Sequence, residues 1–197
     1  MALTKNEVNI LDRMADLFGL HNVAIGGGYA RDTYFGEQPK DIDVVLCMQH
    51  DSCPEELVAK LCGVFEANGY SYKNCHTRYD KSEHSDFEDR LALVVQFEPD
   101  TEFDLPIDVL VASSNYTDVK TYIAANNFSL NQFMIPSSIY SWRTLDVFTP
   151  KYVGKPEEFG MLWPHPTSKS SPACTIKNVH KAQKVGWGIP EELRWAL

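Results

Sequence analysis

The sequence predicts an α/β (α+β) domain, a small mixed sheet flanked by helices. Three observations predict it. Apolar residues recur at helical spacing in two long segments, Val8 to Phe18 and Leu57 to Phe65. Short β-prone runs, Val23 to Ile25, Ile42 to Met48, Arg90 to Glu98 and Pro106 to Ala112, alternate with and follow them. At 197 residues, the chain is long enough for one sizeable core or a core with a small appendage.

Each element has a local cause. Thr4 and Glu7 have capping-box spacing, which starts the first helix, and Gly19 closes it. Val23-Ala24-Ile25 forms a short apolar strand, and Gly26-Gly27-Gly28 a turn. Tyr29 to Phe35 forms a short helix ended by Gly36. Gln38-Pro39-Lys40 turns the chain into the strand Ile42 to Met48. Pro54-Glu55-Glu56 opens the second long helix and Asn68-Gly69 stops it. Tyr70 to Tyr72 reads as a strand, and the polar residues Thr77 to Glu88 as a loop. The strands Arg90 to Glu98 and Pro106 to Ala112 follow, joined by a turn at Pro99. Asp118 to Ala125 and Leu130 to Ile135 are expected to be helical. The chain is then irregular from Pro150 to Ile176, helical over 177–186, and closes on a turn opened by Pro190. The composition change near Pro150 divides a main domain, 1–150, from a C-terminal extension, 151–197, expected to pack on it.

Composition narrows the function classes. No apolar run approaches the ~20 residues of a membrane span, and Met1 to Glu7 lacks the regions of a signal peptide. The five cysteines contain no CxxC pair, which favours reduced thiols and a cytoplasmic setting. The net charge of −9 argues against a surface coated with bases for nucleic acid. The charge is unevenly spread. Ten acids stand against Lys81 and Arg90 between Asp80 and Asp108, and six lysines against Glu157 and Glu158 between Lys151 and Trp187. A solvated surface accounts for both, and a basic patch for an anion in the C-terminal part is the alternative.

Asp41 and Asp43 stand one residue apart at the start of a strand, so both point to one face. Two acids on one face can hold divalent cations, and Mg²⁺ prefers carboxylate, water and phosphate oxygens. Asp108 is a lone acid within the apolar strand Leu105 to Val111 and fits as a third ligand, with Asp104 and Glu102 as rivals. A solvated strand start after a turn is the alternative for Asp41 and Asp43, and such a pair taken alone occurs often by chance. Gly27 and Gly28, between strand and helix, let backbone N–H groups approach a phosphate at a helix N-terminus. Arg31, one turn into that helix, can meet a phosphate or pair with a carboxylate. Asp32 fits an Arg-pairing role.

Gly27-Gly28-Tyr29-Ala30-Arg31-Asp32, the short helix ending in Gly36, and Asp41-Ile42-Asp43 together resemble the nucleotidyltransferase superfamily. The branch they resemble is the head domain of bacterial poly(A) polymerases and CCA-adding tRNA nucleotidyltransferases. That resemblance implies the polymerase-beta-like nucleotidyltransferase fold, two Mg²⁺ ions held by Asp41, Asp43 and Asp108, and an NTP substrate such as ATP contacted by Gly27, Gly28, Arg31 and Asn131. It implies transfer of an NMP to an acceptor hydroxyl, with an RNA or tRNA 3′ end as acceptor and Asp108 taking its proton. Asn127-Phe128-Ser129-Leu130-Asn131 resembles the family's DFTIN segment, with Asn127 where that segment has aspartate. Ala125 and Asn126 stand where two arginines precede it. Ser170 to Cys174 occupies the place of the acidic pair and arginines that select the base, and Pro172 argues against a continuous helix there. These departures motivate two alternatives: a protein or small-molecule hydroxyl as acceptor, or a non-catalytic nucleotide-binding module.

Other clusters carry less. Cys75, His76 and His84 lack a second ligand pair for zinc. Trp142, Trp163, Trp187 and Trp195 read as core or interface residues, and Ser113-Ser114 has no glycine elbow.

Overall fold

The computed structural model describes residues 3–48, 53–76, 90–137, 149–166 and 170–197. Seven strands form one mixed sheet in the order β3-β4-β5-β2-β1-β6-β7. They are β1 (Val23–Gly26), β2 (Ile42–Leu46), β3 (Tyr70–His76), β4 (Leu91–Pro99), β5 (Ile107–Ala112), β6 (Phe133–Pro136) and β7 (Lys151–Tyr152). The β2–β5 pair is parallel and the other pairs are antiparallel. The helices are α1 (Lys5–Phe18), α2 (Gly27–Tyr34), α3 (Pro54–Glu66), α4 (Val119–Ala124) and α5 (Pro172–Lys184). Among the described residues, no helix is long and apolar enough to cross a membrane.

Alternation divides the sheet into two faces. Ile42, Val44 and Leu46 of β2, with Ile107, Val109 and Val111 of β5, enter the main core. There they meet Ile10, Leu11 and Met14 of α1 and Leu57, Leu61 and Phe65 of α3. On the opposite face Val45, Cys47 and Ala112 pack with Val119, Tyr122 and Ile123 of α4 in a smaller cluster. The short α4 leaves part of that second face for the site. The capping box of Thr4 and Glu7 is formed as the sequence predicts, and Asp118 caps α4.

Three elements differ from the sequence reading. The stretch after Pro150, expected to be irregular, begins with β7, which pairs with β6 at the sheet edge. Leu130 to Ile135 is not a helix: Ser129–Asn131 makes a 3₁₀ turn and Phe133–Pro136 is β6, paired with β1. All four residues of β1 are buried, so its backbone needs a ladder on both sides, and β6 supplies the second. Pro172 does not interrupt a helix. Ser171 is the N-cap and Pro172 the first residue of α5, where a missing N–H costs nothing. Val179, Ala182, Trp187, Leu193 and Ala196 from this C-terminal stretch join the main core. The polar segment 77–88, His84 and Trp142 lie outside the described residues.

Candidate active site

The site begins where β1 gives way to α2. Gly26 ends β1 opposite Asp43, and a Cβ there would lie 3.1 Å from the Ile123 side chain and 3.2 Å from that of Val45. Gly27 has φ +59°, left-handed backbone that suits glycine, and its Cβ would meet the Asp43 carboxylate at 3.3 Å. No side chain caps α2. The first N–H groups of α2 therefore face a cleft of about 290 Å³ lined by Gly26, Gly27 and Gly28. That volume is near the lower end for small-molecule sites.

The acidic wall comes from β2 and β5. Asp41 and Asp43 both line the cleft. Asp108 is the direct register partner of Asp43, on the face that also carries Val45 and Leu110. Leu110 lines the cleft, whereas Asp108 stands just outside its lining. The Gln96 amide donates to both Asp108 carboxylate oxygens, at 3.1 and 3.2 Å. Burial, then the charges of Asp41 and Asp108, push the Asp43 carboxyl up to about 7. Burial raises that of Asp108 as well, against the Gln96 hydrogen bond. Of the rivals, Asp104 is buried and accepts from Asn6 and Thr101, while Glu102 is exposed.

The cationic wall comes from α2 and α5. Arg31, 3% exposed, pairs with Asp32 through Nε at 2.7 Å and Nη2 at 2.6 Å, and its Nη1 donates to Asn131 at 2.9 Å. Arg31 thus pairs with a carboxylate and also faces the cleft. Asn131 donates in turn to Asn127 at 3.2 Å and Asn178 at 3.0 Å. On α5, Cys174, Lys177, Asn178 and Lys181 recur at helical spacing and line the cleft. Burial, Arg31 and Lys177 push the Lys181 ammonium down to about 8.

The sequence reading missed Lys177, Asn178, Lys181 and Gln96. The lysine enrichment after Lys151 was the available signal for the α5 pair; nothing local marks Gln96, which meets Asp108 across strands. All five cysteines are free. His76 contacts Asn74 at 3.1 Å and Gln96 at 3.3 Å, both through Nε2.

The donor set fits magnesium. Among the described residues, no three His, Cys, Asp or Glu side chains are gathered into a closed cage. Mg²⁺ takes one or two carboxylates and completes its shell with water and substrate phosphate, so an open set of crowded carboxylates suits it.

Similarity to solved structures is extensive in coverage and low in identity. A CCA-adding enzyme in complex with CTP superposes with a TM-score of 0.57 at 17% identity, over 98% of this chain and 40% of that one. The chain has the nucleotidyltransferase fold. A Thermotoga maritima CCA-adding enzyme complexed with tRNA gives 0.55 at 15% identity, over 97% and 41%. A tRNA nucleotidyltransferase with a primer tRNA and an incoming ATP analogue gives 0.54 at 14%, over 94% and 48%. This nucleotidyltransferase-fold chain therefore spans less than half the length of the solved proteins it resembles. No protein-family model and no curated protein matches it in sequence.

Proposed function

We propose that the chain is a metal-dependent nucleotidyltransferase that moves an NMP from an NTP to an acceptor hydroxyl. One observation carries this reading: a single cleft joins Asp41 and Asp43 to the open N-terminus of α2 and to the cations Arg31, Lys177 and Lys181. Carboxylates on one side and cations on the other suit a ligand whose phosphates need both metal and positive charge. Asp41, Asp43 and Asp108 would hold two Mg²⁺ ions, which supply charge stabilisation at the attacking and leaving oxygens when bound. Gly27 and Gly28 present backbone N–H groups to the triphosphate. Arg31 holds Asn131, which orients Asn127 and Asn178 along the nucleotide side. Asp108 takes the proton of the acceptor hydroxyl.

The acceptor we favour is an RNA 3′ end. The likeness to enzymes solved with tRNA supports it. The net charge of −9 favours a second reading, a protein or small-molecule hydroxyl. The five free cysteines fit a reducing, cytoplasmic setting. The test is incubation with each α-labelled NTP, Mg²⁺ and a cell extract of RNA, protein and metabolites. Label should pass to RNA; label on another hydroxyl selects the second reading, and a folded chain that transfers no label and releases no pyrophosphate contradicts the enzyme.

A further inference from the structure

The amides along the cleft form a connected row, and an arginine stands at each end. Arg31 of α2 holds the Asn131 side chain. Arg90, the half-buried residue that leads into β4, holds the other end from outside the cleft lining. Its Nη2 donates to the Tyr122 carbonyl at 2.6 Å, in the last turn of α4, and to Asn126 Oδ1 at 2.9 Å. Its guanidinium carbon also stands 4.5 Å from the centroid of the Tyr122 ring. Asn126 Nδ2 then donates to the Asn131 carbonyl at 2.7 Å. Ala124, Ala125 and Asn126 carry no cation themselves, so Arg90 delivers one to that segment across the fold.

The two arginines fix a direction. A guanidinium only donates, so an amide oxygen must face each of them. Asn126 therefore turns its NH₂ toward Asn131, and Asn131 turns its own toward Asn127 and Asn178. An amide without such an anchor can invert, exchanging donor for acceptor at nearly the same shape. Tyr122, Asn126 and Asn131 all line the cleft, so the direction of this row decides which groups of a nucleotide it can meet. Building on the nucleotidyltransferase reading, we propose that Arg90 is a positioning residue that sets discrimination among NTP bases, acting through Asn126. It holds the Asn126 amide in one of its two orientations and braces the end of α4, whose Tyr122 shares the cleft.

The test compares wild type, Arg90→Met, Asn126→Leu and the double variant, each with the α-labelled NTPs in turn, Mg²⁺, and mixed cellular RNA and metabolite extract as acceptors. Arg90→Met should raise KM for the preferred NTP about tenfold, the loss of a charge-assisted hydrogen bond, with kcat little changed. The ratio of kcat/KM between the best and the worst NTP should fall about fivefold or more, since an inverted amide offers the base a different hydrogen bond. A loss of stability alone leaves that ratio where it was. Asn126→Leu should lower the ratio by a similar factor. The double variant should be no worse than either single variant, because both changes break one link. Where Arg90→Met does not fold, Asn126→Leu decides by the same ratio. Wild-type selectivity in either folded variant, a fall confined to kcat, losses that multiply in the double variant, or equal use of all NTPs by wild type overturns the role of Arg90 alone. A folded wild-type chain that transfers no label and releases no pyrophosphate overturns the enzyme reading and this proposal together.

Discussion

Asp43 of β2 and Asp108 of β5 are direct register partners in a parallel strand pair, so two carboxyls share one face in the middle of the sheet. Asp43 is raised to about 7 by burial, Asp41 and Asp108. A carboxyl raised on folding stabilises the fold most below its unfolded value near 4, and that stability is lost as pH rises through about 7. Asp43→Asn should therefore melt at a higher temperature than wild type at pH 8, with the difference disappearing by about pH 4. Thermal melts across that range check it, and equal melting temperatures at pH 8 count against the crowding.

Removing the acidic wall should remove activity and spare the fold. Asp41→Ala, Asp43→Ala and Asp108→Ala should each lower label transfer by about a thousandfold or more, since metal assistance is worth several kcal/mol. Circular dichroism should remain that of wild type. An active Asp41→Ala, Asp43→Ala double variant contradicts the assignment.

Gly27 has φ +59°, and a Cβ there would stand 3.3 Å from the Asp43 carboxylate. Gly27→Ala should cost about 1–2 kcal/mol of stability and depress transfer by moving that carboxylate. Denaturant midpoints and initial rates measure the two effects separately.

Lys177 is exposed and lines the cleft beside Lys181. Lys177→Ala should raise the KM for NTP about tenfold, the loss of one charge-assisted phosphate contact, with kcat little changed. A fall confined to kcat would place Lys177 at the chemistry instead of the terminal phosphates.

Arg31 is almost fully buried, and its guanidinium carries both the Asp32 pair and the Asn131 contact. Arg31→Met should cost about 1–3 kcal/mol by leaving those partners unsatisfied. It should also weaken NTP binding by freeing Asn131, which calorimetry reads directly.

Much of this was legible wherever local chemistry dictates structure. The Thr4–Glu7 box, the glycine turn and the alternation of β2 and β5 each depend on neighbours in sequence. The misread segments depend on distant partners. Leu130 to Ile135 can satisfy a helical spacing, and only the open side of β1 draws Phe133 to Pro136 into the sheet. Pro172 reads as a helix breaker until Ser171 is seen to cap the helix that it opens. Gln96 acquires its place from the β4–β5 register, a pairing that no local pattern announces.

The most direct measurement of the carboxylate site is Mn²⁺ binding by electron paramagnetic resonance, with a non-hydrolysable NTP present. The wild-type chain should bind about two ions, and Asp43→Asn and Asp108→Asn should each lose at least one while remaining folded. Wild-type Mn²⁺ binding in both variants would contradict the account.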